Sequence, residues 1–258
     1  MKKDIIISAA LVVHNEEKHL DNCLKSLSFA DEIVVVLDKC SDNSKLIAKQ
    51  HNARIIEGSW NIEGARRNIA LQNCRGKWIL ELDADERVSE NLQKEILLNI
   101  QSGKRCNYST KINNHIGKES INNGWLRTIA VQERQFIHYN GNKTYHEDKR
   151  VHPTADLKGV VEKLKNPIIH YMDNDISDLI NRFNRYTSLR ASDMLSCNKK
   201  FKKRNLFKLF LSFINQFFKA FIIKKGYKEG AIGLLISLIS SSFNLVSYLK
   251  ALETLKSK

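Results

Sequence analysis

Four apolar runs alternate with helical patterns over residues 5–101, and this alternation limits the fold more than any other feature of the chain. The runs IIISAALVV and EIVVVL are continuous and rich in β-branched residues, as is typical of strands covered on both faces. ARIIE and KWILEL are shorter strand candidates. The segments between the runs, EEKHLDNCLKSLSF, SDNSKLIAKQHN and IEGARRNIALQNC, have the apolar spacing of helices. Such alternation predicts an α/β fold with a doubly wound, mostly parallel sheet.

The remainder of the chain has two different patterns. Residues 102–172 are rich in Asn, Gly, His and aromatic residues, with short strand candidates such as NYSTKI and RQFIHY. Residues from Asp175 onward have long helical patterns. We therefore predict a first domain over residues 1–172, divided into halves 1–101 and 102–172, and a C-terminal helical region over 173–258.

The charge balance indicates an anionic partner. The 258 residues contain 42 Lys and Arg against 28 Asp and Glu, a formal net charge of +14. Nucleic acid, an anionic membrane surface and phosphorylated substrates all fit this excess. Many of the basic residues lie in a segment without acids: Lys199, Lys200, Lys202, Lys203, Arg204, Lys208, Lys219, Lys224, Lys225 and Lys228.

These lysines flank the apolar stretch NLFKLFLSFINQFFKAFII, which is the pattern of an interfacial membrane helix. A nucleic-acid-binding protein would instead interleave its basic residues with stacking aromatics on a groove or sheet, so we expect no nucleic-acid partner. Residues 231–249 carry no charge, but their serines and Asn244 favour packing on protein or lying in the interface over spanning. The alternative is that the whole tail packs on the first domain.

The cysteines and the N-terminus both favour a cytoplasmic protein. The 5 cysteines are scattered and form no CxxC pair, which argues against a disulfide framework or a zinc site. The start MKKDIIISAALVV resembles a signal peptide, but Asp4 interrupts it and HNEEKHL follows where a cleavage site would lie. We expect a buried first strand there.

Polar side chains follow three of the predicted strands. The segments VVHNEE, LDKCSDNS and LDADE end the first, second and fourth strands. In an open parallel sheet, ligands bind beyond the carboxyl ends of the strands. We therefore expect one rim of the sheet to collect Asn15, Glu16, Asp38, Asp83 and Asp85.

The pair Asp83 and Asp85 has the i, i+2 spacing that turns two carboxylates toward the same edge of a strand end. Such oxygen ligands suit a hard divalent cation that also binds substrate phosphates. The alternative is an ordinary junction with a helix that starts near Ser89, in which Glu86 is a first-turn acid. Neither GxGxxG nor GxxxxGK[ST] occurs, so phosphate charge would be met by the cation and by Arg66 or Arg67, unless these are solvated helix residues.

Together, VVHNEEKHLDNCLKSL, ADEIVVVLDKCSDNS, GARRNIAL and GKWILELDADERVS resemble family 2 glycosyltransferases, inverting enzymes of the GT-A fold. NGW near Trp125, VHPTADLKGVVEKLKNPIIHY and LINRFNRYTSLRA resemble the branch that builds lipopolysaccharide core, including core β-glucosyltransferases. The resemblance implies a GT-A type, Rossmann-like sheet with a C-terminal helical region. Residues 1–101 would bind the nucleotide sugar, and residues 102–172 would face the acceptor.

The resemblance also implies roles for individual residues, carried over onto matching positions. The nucleotide site would be formed by His14, Asn15, Glu16, Asp38, Arg67 and Asp83. Asp38 would contact the base, and Arg67 would lie in the donor pocket. Asp83 and Asp85 match the DxD pair, with Asp85 as the direct ligand of Mg²⁺ or Mn²⁺.

The catalytic base is the point at which the chain departs from the family pattern. Val151-His152-Pro153 aligns with a segment that the family usually writes Val-His-Glu, and Pro153 cannot accept a proton. The nearby segment Tyr145-His146-Glu147-Asp148 offers a substitute acid. We predict Glu147 as the base, with Asp148 and His152 as alternatives. Glu147 as a plain surface residue is the competing interpretation.

The predicted function is transfer of a hexose, glucose in particular, from a UDP-sugar to a lipopolysaccharide-core or other lipid-linked saccharide. The enzyme would be peripheral on the cytoplasmic face of the cell membrane. One alternative is a sugar nucleotidyltransferase, which would need a Gly-rich basic loop where this chain has HNEE. Another is a degenerate transferase that binds nucleotide sugars without catalysis, as Pro153 would allow.

Overall fold

The computed structural model of the chain describes residues 5–126, 130–147, 153–196 and 205–256. The chain forms two compact units. The first comprises Met1–Ile112 with Glu133–His170, and the second comprises Asn113–Gln132 with Tyr171–Lys258. Packing thus groups residues 113–132 with the C-terminal helices. The functional division predicted at residue 172 stays a prediction.

The strands in the described residues include the four predicted from the N-terminal alternation and the two predicted further on. In chain order they are β1 (Ile7–Val13), β2 (Glu32–Asp38), β3 (Arg54–Gly58), β4 (Trp78–Glu81), β5 (Glu86–Arg87), β6 (Asn107–Ile116), β7 (Glu119–Ile121), β8 (Glu133–Tyr139), β9 (Lys143–Tyr145), β10 (Ala155–Leu157), β11 (Val161–Lys163) and β12 (Ile168–Asp173).

The α-helices also follow the predicted pattern. They are α1 (Glu17–Ser26), α2 (Ser44–Gln50), α3 (Glu63–Gln72), α4 (Glu90–Gln101), α5 (Ile176–Ser196), α6 (Leu206–Phe218) and α7 (Gly230–Lys256). A π-helical turn, Lys219–Ile223, continues α6, and a 3₁₀ turn, Gly226–Glu229, precedes α7.

The main sheet has the strand order β3-β2-β1-β4-β8-β6-β12-β5. Strands β3, β2, β1 and β4 run parallel to one another. Strand β8 pairs antiparallel with β4, and β5 pairs antiparallel with β12. The predicted doubly wound, mostly parallel α/β architecture is confirmed. Its parallel half places the carboxyl ends of β1, β2 and β4 at one rim.

The parallel strands are buried on both faces, which explains their continuous apolar sequences. On one face Leu11 of β1 and Val35 of β2 pack in a core cluster with Leu24 of α1. On the other face Val34 of β2 packs with Leu71 of α3. Burying each such side chain contributes roughly 2 kcal/mol. The strand ends are therefore fixed by packing from both sides.

The second unit is helical around its own apolar cluster. Trp125, Leu179 of α5 and Ile236 of α7 are buried in that cluster. The Lys250 ammonium of α7 also donates to the Asn184 side-chain oxygen of α5 at 2.6 Å. The predicted C-terminal helical region is confirmed.

Two segments of the second unit are long and apolar enough to cross a membrane, by length and composition alone. They are Leu206–Ile223, with mean hydropathy 1.5, and Gly226–Lys256, which contains an 18-residue window of mean hydropathy 1.7. Of these apolar windows, 11% of the first and 39% of the second is buried in the structure. Core helices of soluble proteins pass the same test. The packing of each segment therefore has to show whether it is a core helix or a candidate for membrane contact.

Candidate active site

The ends of β1 and β2 are joined by hydrogen bonds. His14 Nδ1 donates to the carbonyl oxygen of Asp38 at 2.6 Å, and the Asn15 side-chain oxygen accepts from the backbone N–H of Ser41 at 2.8 Å. Asn15 has φ 57°, a left-handed conformation that Asn tolerates better than most residues. The structure therefore brings His14 beside Asp38 and Asn15 beside Ser41, at the joined ends of β1 and β2.

Asp38 is buried at the end of β2, with both carboxylate oxygens occupied. One oxygen accepts from the backbone N–H of Trp60 at 2.9 Å, and the other is in an ion pair with Arg66 of α3. Arg66 is therefore not a solvated helix residue. Its ion pair sets the orientation of the acid at this strand end.

Asp83, which follows β4, lies between two arginines. Its Oδ2 is 2.8 Å from Arg134 Nη1, and its Oδ1 is 3.4 Å from both terminal nitrogens of Arg67. Burial alone would raise the pKa of Asp83, but Arg134 and then Arg67 outweigh it and hold the pKa below its usual range. The Asp83 side chain is still 37% exposed, so it is reachable from solvent. Asp83 is an anion at every physiological pH.

The structure corrects the interpretation of Glu86 as an acid in the first turn of a helix. It lies in β5, whereas α4 begins at Glu90 with Ser89 as its N-cap. The Glu86 side chain is 2% exposed, lies 2.9 Å from Arg134, and accepts the backbone N–H of Asp83 at 3.0 Å. Burial raises the pKa of Glu86 to about 7, with Arg134 opposing. Glu86, Asp83 and Arg134 therefore form one cluster of hydrogen-bonded and ion-paired side chains.

Asp85 faces β12. Its Oδ2 is 3.2 Å from His170 Nε2, and its side chain is 33% exposed. Burial would lower the pKa of His170, but the hydrogen bond and the charge of Asp85 raise it overall. His170 is thus biased toward the imidazolium form, which balances Asp85.

Glu16 completes the rim from the end of β1. Burial, followed by repulsion from Asp85, Asp42 and Asp83, raises the pKa of Glu16 to about 7. Strands β1 and β4 are paired and parallel, so their carboxyl ends lie side by side. The predicted convergence of Glu16, Asp83 and Asp85 on one rim is therefore present in the structure.

The carboxylates suit a divalent cation only in part. Among the described residues, no group of three or more His, Cys, Asp and Glu is arranged to hold a metal ion. Asp83 and Asp85 nevertheless offer hard oxygen donors that are 37% and 33% exposed. They fit Mg²⁺ or Mn²⁺ when the remaining oxygens come from a diphosphate and water, which is the usual arrangement for such ions. In this structure the two carboxylates are paired with arginine and histidine side chains.

Glu147 is held against α3. Its Oε1 accepts from the Asn68 side-chain amide at 2.9 Å, while the same amide pairs with the backbone N–H and carbonyl of Tyr145 at 2.8 and 2.9 Å. Gly64 permits this contact, because a Cβ there would lie 2.1 Å from the His146 carbonyl oxygen. Glu147 is solvent-exposed, and its carboxylate bonds to α3 rather than to the arginine and histidine that pair with Asp83 and Asp85. Asp148 and His152 lie outside the described residues.

Sequence reasoning missed a buried charge network beneath the rim. Glu81 of β4 is 2.5 Å from Lys143 Nζ and accepts from the Tyr145 hydroxyl at 2.6 Å. Burial would raise the pKa of Glu81, but Lys143 lowers it below its usual range. A glutamate inside the apolar run WILEL was the available signal, because a buried acid requires a partner.

Arg134 was missed for a different reason. It lies on β8, which pairs antiparallel with β4, so its neighbours at the end of β4 are distant in sequence. The segment ERQF has no local pattern that marks a functional arginine. Only the sheet order reveals its position.

Comparison with known proteins identifies the family. Residues 8–149 match the family model described as Glycosyl transferase family 2, and this span is more than half of the chain. The chain belongs to glycosyltransferase family 2. It is therefore a transferase that uses a nucleotide sugar, and the family predicted from its motifs is confirmed.

Relatives of this glycosyltransferase cover most of its length. A Rickettsia felis protein named "Uncharacterized glycosyltransferase" is 28% identical over 262 residues, which is 98% of this chain and 92% of that protein. LpsC of Rhizobium meliloti, named as a lipopolysaccharide core biosynthesis glycosyltransferase, is 23% identical over 75% of this chain and 73% of its own length.

Solved structures of S. aureus TarS resemble the glycosyltransferase in fold. The 1–349 fragment aligns with a TM-score of 0.50 at 15% identity, over 96% of this chain and 88% of the fragment. The longer TarS chain also gives 0.50, at 16% identity over 88% of this chain, but this chain spans only 46% of it. At such identity the likeness concerns the fold alone. With the sheet topology, it confirms the GT-A fold.

Proposed function

We propose that this enzyme transfers a hexose, glucose in particular, from a UDP-sugar to a lipopolysaccharide-core or other lipid-linked saccharide, with inversion at the anomeric carbon. The observation that carries the proposal is the rim at which Glu16, Asp83 and Asp85 follow the paired parallel strands β1 and β4, with Arg67 and Arg134 beside Asp83. Family membership supplies the reaction class. The similarity to LpsC supports the class of acceptor.

Different residues of the rim would bind different parts of the nucleotide-sugar donor. His14, Asn15, Glu16 and Asp38, at the ends of β1 and β2, would hold the nucleoside. Asp83 and Asp85 would bind Mg²⁺ or Mn²⁺, which neutralises a leaving diphosphate when it is bound.

The two arginines would assist at the diphosphate. Arg67 and Arg134 already lie within 3.4 Å and 2.8 Å of Asp83, so positive charge is in place before the donor arrives. Positive charge fixed in advance stabilises a developing anion without reorganisation when the bond breaks. Asp83 would in turn keep both guanidinium groups oriented.

Glu147 is our proposed base for the acceptor hydroxyl. Inversion requires a base on the face opposite the leaving diphosphate. The Asn68 amide donates to one oxygen of Glu147 at 2.9 Å, and the side chain is solvent-exposed, so an acceptor hydroxyl would be able to reach the carboxylate. Asp148 and His152 remain the alternative bases.

A lipid-linked acceptor would place the enzyme on the inner face of the cell membrane, with its active site in the cytoplasm. The net charge of +14 supports an anionic surface as a partner.

Calorimetric titration with UDP-glucose, UDP-galactose, UDP-N-acetylglucosamine and GDP-mannose, each with and without Mn²⁺, tests the donor. We expect one UDP-sugar to bind in a metal-dependent manner, and Asp85→Ala to lose that dependence. The matched control is Asp21→Ala, which removes an exposed acid of α1 that pairs with Lys25. If no nucleotide sugar binds under any metal condition, the proposed donor and cation are wrong.

A second candidate function is a protein that binds nucleotide sugars without transferase activity, because Pro153 stands where the family usually has an acid. The two candidates separate when donor binding and product formation are measured on one preparation with a lipopolysaccharide-core acceptor. Donor binding with no product would favour the second candidate. NMR of the new anomeric proton then tests inversion, and a retained configuration would contradict the proposed mechanism.

A further inference from the structure

Helix α6 and the π-helical turn after it form one continuous helical segment, residues 206–223, that contacts the rest of its unit along a narrow line. Leu209 is 7% exposed and Ala220 is fully buried. Only 11% of this 18-residue segment is buried, compared with 39% of the most apolar 18-residue window within Gly226–Lys256, the segment that contains α7. Most of this apolar helix is therefore in contact with solvent.

Five of the exposed apolar side chains of the segment form a strip. They lie three, four or seven residues apart, which places them on one side of a helix, whereas Leu206 and Ile223 are also exposed but lie outside the strip. The strip consists of Phe207, Phe210, Leu211, Phe218 and Ile222, which are 67%, 52%, 47%, 56% and 51% exposed. Single exposed apolar residues are common on soluble proteins, but a contiguous strip of this kind marks an interaction surface.

A second strip, which is polar, runs beside the apolar one. Lys208, Ser212, Asn215 and Lys219 are exposed and also recur every three or four residues. The segment thus has a line packed on protein, an apolar strip and a polar strip. A helix that crossed a bilayer would place the polar strip in hydrocarbon, where lysine is strongly disfavoured.

The charge around the strip has one sign. Lys208 and Lys219 lie on the polar strip, and Lys224, Lys225 and Lys228 follow the segment. The sequence contains no acid from residue 205 to residue 228. Two copies of this surface facing each other would bring like charges together, whereas an anionic lipid surface would attract them.

Helix α7 passes the same hydropathy test, but its packing gives it a different role. Several of its polar side chains point into the unit: Ser237 and Ser247 are fully buried, and the Lys250 ammonium donates to Asn184 and to the Thr187 hydroxyl of α5. These contacts make α7 a structural helix of the second unit.

We propose that residues 206–223 lie in the plane of an anionic lipid surface, with the apolar strip in the acyl boundary and the lysines among the headgroups. This inference deepens the proposed function by naming the part of the chain that holds the enzyme at a lipid-linked acceptor. Its physical case rests on α6 and does not require any particular sugar donor.

Co-sedimentation of the full chain with vesicles tests the proposal. We expect binding to phosphatidylcholine vesicles that contain one quarter phosphatidylglycerol, with a loss of at least tenfold for Phe207→Ser/Phe210→Ser. The matched control is Ile180→Ser/Leu189→Ser, because these α5 residues are 48% and 49% exposed. The control should bind within twofold of the unmodified protein. An equal loss in both variants, or no binding by the unmodified protein, would overturn the proposal.

Charge reversal tests the electrostatic part. Lys208→Glu/Lys219→Glu should remove the preference for anionic over neutral vesicles, and an unchanged preference would contradict it. Titration with the UDP-sugar is run on each variant as a check of the catalytic unit. If the unmodified protein binds vesicles but no donor, the proposed function is contradicted and the proposed lipid contact is not. If it binds the donor but no vesicles, only the proposed lipid contact is contradicted.

Depth measurements distinguish an in-plane helix from a spanning one. Tryptophan placed at Phe207, Ile214 or Phe218 covers 11 positions of the segment, roughly 16 Å along the helix axis. Quenching by lipids brominated at different depths should place all three at one shallow level. A deeper position for Ile214→Trp than for the other two would indicate a span. If Phe207→Ser/Phe210→Ser instead turns a dimer into a monomer and no variant binds vesicles, a second copy is the occupant.

Discussion

Arg134 Nη1 lies 2.8 Å from Asp83 Oδ2, although 51 positions separate the two residues in the chain. The same guanidinium is 2.9 Å from Glu86 and donates to the Glu81 carbonyl oxygen at 2.9 Å. A single cation on an antiparallel strand thus organises the acidic end of the parallel strand β4. The predicted DxD pair therefore depends on a residue far outside the motif.

Replacing Arg134 should destabilise the first unit. Arg134→Gln would leave the buried Glu86 without its cation, and removing one partner of a buried ion pair costs about 3 kcal/mol. Urea unfolding of the first unit, followed by tryptophan fluorescence, measures the change.

A double-mutant cycle provides the control for this substitution. Glu86→Gln should cost less stability in the Arg134→Gln background than in the wild type, because Glu86 has then already lost its cation. Strictly additive effects of Arg134→Gln and Glu86→Gln would show that the two side chains do not interact.

Replacing Glu147 tests the proposed base. Glu147→Gln keeps the acceptor for the Asn68 amide but removes the basic oxygen, so kcat should fall roughly 100-fold to 10,000-fold while donor affinity changes little. Steady-state kinetics with donor titration separate the two effects. Glu57→Gln, at an exposed position paired with Lys45, is the control and should retain full activity. Full activity of Glu147→Gln would move the role to Asp148 or His152.

Gly64 should tolerate no side chain. A Cβ there would lie 2.1 Å from the His146 carbonyl oxygen, so Gly64→Ala must displace the segment that carries Glu147. We expect a loss of about 2 kcal/mol and a lower kcat, from the strain of overpacking. Gly103→Ala is the comparison: it meets no atom within 4 Å and carries only the cost of φ 77°, roughly 1 kcal/mol. A smaller effect at Gly64 than at Gly103 would contradict the packing argument.

The pH dependence of stability should report Glu16. Its pKa of about 7 in the folded protein exceeds the ordinary glutamate value of 4.5, so between these values the folded state binds more protons than the unfolded state. The wild-type unfolding free energy should therefore fall relative to Glu16→Gln as pH rises from about 5 to 8. Because Glu16 is only partly buried and screened by solvent, the difference should reach on the order of 1 kcal/mol.

Chemical denaturation at several pH values measures this difference. The curves for the two proteins should converge below the ordinary pKa of 4.5, where Glu16 becomes protonated in both the folded and the unfolded state. Parallel curves over the whole range would mean that the acids at the rim do not affect Glu16.

The sequence by itself determined the parallel half of the fold. Runs such as EIVVVL are apolar on both faces, and only a strand covered on both sides accommodates them. The strand-end argument also predicted that Asn15, Glu16 and Asp83 would come near one another, because the ends of parallel strands share one edge. Both predictions follow from local patterns together with a general property of parallel sheets.

The tertiary structure alone decided which partners those residues have. The alternative interpretation placed Glu86 in the first turn of a helix, but it pairs in β5 with β12, because antiparallel register across distant segments leaves no local pattern. Arg134 and His170 reach Asp83 and Asp85 for the same reason. The solvent exposure of the side chains likewise distinguishes α6 from α7. The two helices have similar hydropathy, but α7 packs inside its unit, whereas the apolar side of α6 faces outward. Periodicity encodes the face of an element, whereas the neighbour on that face is set by the chain topology.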